Sequence, residues 1–83
     1  MNRCTALLAR ARAHPASLRW AEACTLTECF GWVLARQRGS HRIFKRRGTA
    51  QLLNLQDVNG MAKPYQIRQL LAAIDGLASG PPR

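Results

Sequence analysis

The sequence predicts a small α+β domain in which helices cover one face of a three-stranded antiparallel sheet, in the order α-β-β-β-α, with a short extra helix at the N-terminus. Three observations point there. Gly39-Ser40 lies between two runs rich in β-branched, aromatic and apolar residues, which reads as a hairpin turn. Apolar residues recur at three- and four-residue steps over 20–30 and 67–77, on either side of that hairpin. The connections between the strands are short, so strands adjacent in sequence become neighbours in the sheet.

Along the chain, residues 2–13 are dominated by Ala, Leu and Arg and form the extra helix, which stops at His14-Pro15 because the residue before a proline disfavours the helical region. His14 at that helix end reads as a capping group. A second helix spans 20–30, with Trp20, Ala23, Leu26, Thr27 and Phe30 on one face and Gly31 as its stop. The strands are 32–37, 41–45 and, after the Arg47-Gly48-Thr49 turn, 50–55. Residues 56–63 read as a loop, and Pro64 sits in the first turn of the last helix, whose stripe is Ile67, Leu70, Leu71, Ile74 and Leu77. Residues 79–83 form a frayed tail. The whole chain, 1–83, is one domain, with the N-terminal helix in 1–14 and the core in 15–78. Two helices cannot cover both faces of a sheet, so one face stays open.

Size and charge narrow the function. A chain of 83 residues buries only somewhat more than ~60% of its unfolded surface, so its core is thin. A hydrophobic fraction of 47% is too high for a disordered tail, while a formal charge of +9 calls for a polyanionic partner. The cysteines, Cys4, Cys24 and Cys29, are odd in number and lack a C-x-x-C spacing, which argues for small apolar residues near a core rather than a disulfide framework. Arg10 and Arg12 follow only a short apolar patch, so no export signal or membrane span is expected, and the predicted location is cytoplasmic. Two distant histidines and four scattered acidic residues offer no metal set, and no cofactor is expected.

The charge is concentrated around the hairpin. Six Lys and Arg residues fall within 36–47, namely Arg36, Arg38, Arg42, Lys45, Arg46 and Arg47, and no Asp or Glu occurs within 31–56. A phosphate backbone meeting this segment finds no repelling carboxylate in it. His41 opens the second strand immediately after the Gly39-Ser40 turn. RNA carries its own nucleophile, the 2′-hydroxyl, so cleavage needs a base for that proton, an acid for the leaving oxygen and positive charge for the phosphorane. An unperturbed histidine titrates near ~6.5, and nearby cations favour the neutral, proton-accepting ring. His41 suits the base, Arg36, Arg38, Arg42, Lys45, Arg46 and Arg47 suit the phosphates, and Lys63 or Tyr65 can assist if the last helix begins close to the sheet. Ser40 lacks an acidic residue nearby in sequence to complete a nucleophilic arrangement and serves the turn.

The α-β-β-β-α order with helices on one side is that of double-stranded-RNA-binding domains. Within it, Phe30-Gly31-Trp32, the run from Arg36 through Gly39-Ser40-His41 to Phe44, Asn54-Leu55-Gln56, and Lys63-Pro64-Tyr65-Gln66-Ile67-Arg68-Gln69 resemble the HicA family of toxin ribonucleases over 15–77. Trp32 stands where Phe is commoner, and Cys29-Phe30 replaces an aliphatic pair. The resemblance implies an RNA-cleaving toxin acting on mRNA with His41 as its catalytic group, and a HicB-type antitoxin as partner. Two other functions fit the same charge: a noncatalytic RNA-binding module, and a protein-interaction domain for an acidic partner.

Overall fold

The alternation of buried and exposed residues in the strands decides which side of the sheet the helices occupy. In the computed structural model, which describes residues 2–78, Phe44, Leu53 and Leu55 are buried while Lys45, Asn54 and Val58 are exposed. The elements are α1 (Arg3–Ala13), a 3₁₀ turn (Pro15–Ser17), α2 (Trp20–Cys29), β1 (Val33–Arg38), β2 (His41–Lys45), β3 (Leu53–Val58), β4 (Met61–Ala62) and α3 (Pro64–Ala78). The sheet has the order β1-β2-β3-β4, antiparallel throughout. The architecture is α+β, compatible with the arrangement expected from sequence, and the extra N-terminal helix is present. The expected tail at 79–83 lies outside the described residues.

Two sheet expectations are corrected. The sheet has four strands rather than three, and the third begins at Leu53 instead of residue 50. The stretch expected to be a loop continues β3 to Val58, reverses at Asn59-Gly60 and returns as β4. Both turn residues have positive φ, 55° at Asn59 and 84° at Gly60, as a type I′ hairpin requires. The Asp57 side chain closes the turn by accepting from the Gly60 N–H at 2.6 Å. Beyond β4 the chain is stitched on once more: Ala62 N–H donates to the Leu18 carbonyl and Trp20 N–H to that of Gly60.

Helix boundaries follow local chemistry. Asn2 caps α1 by accepting from Thr5 N–H at 2.8 Å. Glu22 accepts from Arg19 N–H at the start of α2, and Gly31, at φ +90°, takes the chain out of that helix into β1. The buried side chains of α1, α2 and α3, including Leu7, Ala11, Leu26, Ile67, Leu70 and Ile74, form a single core with Trp32 and the inward residues Phe44, Leu53 and Leu55 of the sheet.

The absence of a disulfide, expected from the cysteine count, is also corrected: Cys4 and Cys29 are bonded, with their Cα atoms 5.9 Å apart. α1 and α2 pack together with the start of one against the end of the other, so residues 25 apart in sequence meet. The Arg10–Glu22 ion pair ties the opposite ends of the same two helices. Such a bridge forms under oxidising conditions, so it lends no support to the cytoplasmic location expected from sequence. Cys24 is free and buried as expected, and burial raises its thiol pKa, with Arg42 opposing. Among the described residues, no helix is long and apolar enough to cross a membrane.

Candidate active site

Gly39-Ser40 forms the predicted two-residue connection, with positive φ at Gly39, and places His41 opposite Arg38 in the β1–β2 ladder. His41 also lies opposite Gln56 of β3, and its neighbour Ile43 lies opposite Asn54. Residues paired across antiparallel strands share a face, so His41, Ile43, Asn54 and Gln56 stand together on the side away from the helices.

A break in the β1 pattern adds the cations. Leu34 pairs with Phe44, but Arg36 then pairs with Ile43, so Ala35 is an extra residue in the strand. An unbroken ladder would turn Arg36 toward the helices; the bulge shifts the phase and places Arg36 and Arg38 beside His41. Lys45, two residues beyond Ile43, faces the same way and is exposed.

The structure gives the other expected site residues different surroundings. Arg42 alternates to the helix side, where its guanidinium lies 4.5 Å over the Trp20 ring and Nε donates to Gln37 Oε1 at 3.3 Å. Trp20 is half-buried, and its indole N–H donates to the Leu55 carbonyl at 3.4 Å. Arg46 Nε donates to the Phe30 carbonyl at 2.8 Å, neutralising the end of α2, and its side chain lies so close to Gly31 that a Cβ there would be 3.1 Å from Nε. Arg47 is exposed in the β2–β3 connection. Lys63 is half-buried, with Nζ 5.8 Å from the centre of the Tyr65 ring.

Two side chains without a role in the sequence reading are built into this region. Asn54 Oδ1 lies 3.3 Å from Nδ1 of His41. Gln66, 3% exposed, accepts from the Gln56 backbone N–H at 2.9 Å, and its Nε2 donates to the Tyr65 hydroxyl at 3.5 Å. The first turn of α3 is thereby bonded to the β3 residue directly across from His41. The polar–apolar–polar order of Asn54-Leu55-Gln56 carried the signal for the first, because it sends Asn54 and Gln56 away from the core that receives Leu55.

The arrangement presents an imidazole with one ring nitrogen engaged, two arginines on the adjoining strand and no carboxylate on β1 or β2. It can take a proton next to a bound anion. Among the described residues no group of three or more His, Cys, Asp and Glu is placed to hold a metal.

Comparison with known proteins gives one family. The family model described as the HicA toxin of bacterial toxin-antitoxin systems matches residues 20–75, from the start of α2 into the last turns of α3. No curated protein and no solved structure matches. With the match covering most of the chain and containing the hairpin, the bulged strand and the α3 clamp, the protein belongs to the HicA family of toxins of bacterial toxin-antitoxin systems.

Proposed function

We propose that this toxin is a metal-independent endoribonuclease that cleaves mRNA with His41 as general base, acts in the cytoplasm where its substrate lies, and is held in check by a HicB-type antitoxin. The observation that carries the reading is the placement of His41 beside Arg36 and Arg38 on the helix-free face of the sheet, in a chain of this family. His41 takes the 2′-hydroxyl proton, the 2′-oxygen attacks the adjacent phosphorus to form a 2′,3′-cyclic phosphate, and the P–O5′ bond breaks, the departing 5′-oxygen taking a proton from water. Arg36, Arg38 and Lys45 stabilise the charge that accumulates on the phosphoryl oxygens. Arg47 and Lys63 add to the positive field around them, while Arg42 and Arg46 hold the sheet to α2. The scheme needs no metal, because the nucleophile belongs to the substrate and the cations to the protein.

Incubating the purified chain with single-stranded RNA in EDTA, beside His41→Ala, tests this on a denaturing gel. The variant is expected to lose about 10²- to 10⁴-fold in rate, the range for a general acid-base group, while still binding RNA. Equal cleavage by parent and variant refutes the assignment. RNA bound but cut by neither would instead identify a noncatalytic binding module.

A further inference from the structure

We propose that Asn54 is a positioning residue that fixes the tautomer of His41, holding the proton on Nδ1 and leaving Nε2 as the basic nitrogen. The proposal rests on the reading of His41 as the base. The partner of Nδ1, at 3.3 Å, is the Asn54 amide oxygen, which can only accept. A neutral imidazole carries one ring proton, so donating it from Nδ1 leaves the lone pair on Nε2.

The supporting structure fits a positioning role. Asn54 stands between Leu53 and Leu55, both buried on the opposite face, which fixes the backbone that carries the amide. His41 and Asn54 belong to neighbouring strands of one ladder rather than to loops, so their separation is set by the sheet. Gln66 secures β3 at the next polar position, Gln56. The choice of an amide over a carboxylate also suits the chemistry. A carboxylate would stabilise the protonated ring, pair with Arg36 or Arg38 and repel phosphate, whereas an amide orients the ring without adding negative charge.

The test is ¹⁵N NMR of the His41 ring in the full chain, at a pH where the ring is neutral, with cleavage kinetics on the same samples. The parent is expected to show a protonated Nδ1 and an unprotonated Nε2. Asn54→Ala should shift both nitrogens toward averaged values and lower kcat about 2- to 13-fold, the range for losing one hydrogen bond, with KM little changed. At a pH high enough to keep the ring neutral beside a carboxylate, Asn54→Asp should restore the protonated Nδ1 and most of kcat while raising KM, because its charge repels phosphate. A parent ring protonated on Nε2, or ring shifts unaltered in Asn54→Ala, overturns the proposal. Cleavage by His41→Ala at the parent rate overturns the catalytic reading instead, and the ring shifts of the parent still decide whether the hydrogen bond exists.

Discussion

Replacing Arg36 and Arg38 together by alanine removes two cations from the face that carries His41 and leaves the helix-covered side intact. On single-stranded RNA each phosphate contact contributes about 0.7 to the slope of log affinity against log salt, so the slope should fall by about 1.4. Over a fourfold rise in salt, the double variant should therefore lose about sevenfold less affinity than the parent loses. Both side chains are exposed on an edge strand, so stability should move by no more than about 0.5 kcal/mol. Arg46→Ala, in contrast, removes a charged hydrogen bond to the Phe30 carbonyl and should cost about 1.5 kcal/mol, lowering Tm by roughly 6–12 °C with little change in slope. The assay is fluorescence anisotropy of labelled RNA at several salt concentrations, in the His41→Ala background to prevent cutting, with thermal melts alongside. An unchanged slope in the double variant, or an equal flattening by Arg46→Ala, would refute the division of the arginines by face.

Other expectations follow from the packing. Reducing the Cys4–Cys29 bridge, or replacing both residues with serine, should cost roughly 3–4 kcal/mol for a closed loop of this length, read as a lower urea midpoint. Gln66→Ala leaves the Gln56 N–H without its acceptor and should destabilise by about 1–3 kcal/mol in the same titration. The Glu22 carboxyl is held below the usual carboxylate range, first by the Arg19 backbone N–H and then by Arg10. Its stabilisation is therefore present above the unfolded carboxylate range and lost as pH falls through the folded value. Melting temperature followed from about pH 6 to pH 3 should fall less steeply in Glu22→Gln than in the parent.

The parts legible from the sequence were those whose cause is local. Periodicity located α2 and α3, Gly39-Ser40 located the hairpin, and His14-Pro15 located the end of α1. The β3–β4 hairpin was equally local, since Asn59-Gly60 is a strong turn signal, but the surrounding polar residues read as a loop. Other features depend on pairing that no single segment contains. The bulge at Ala35 exists only relative to β2, and it decides which arginines accompany His41. Arg42 and Arg46 read as two more members of a charge run because their partners, Trp20 and Phe30, belong to a different element. Cys4 and Cys29 meet only because two helices fold back on each other.

The seam between Leu18–Trp20 and β4 has a practical consequence for dissecting this toxin. The family likeness begins at Trp20, yet Leu7, Ala11 and Leu18, all upstream of it, are buried in the same core as Ile67 and Leu70. A fragment cut at the edge of the likeness would bare those apolar contacts, strip the flanking backbone partner from β4 and sever the bridge at Cys29. The unit that folds is therefore larger than the unit that is shared with relatives. Any recombinant piece, chimera or fusion should take its N-terminal boundary from Asn2, where the first helix is capped, rather than from the first matched residue.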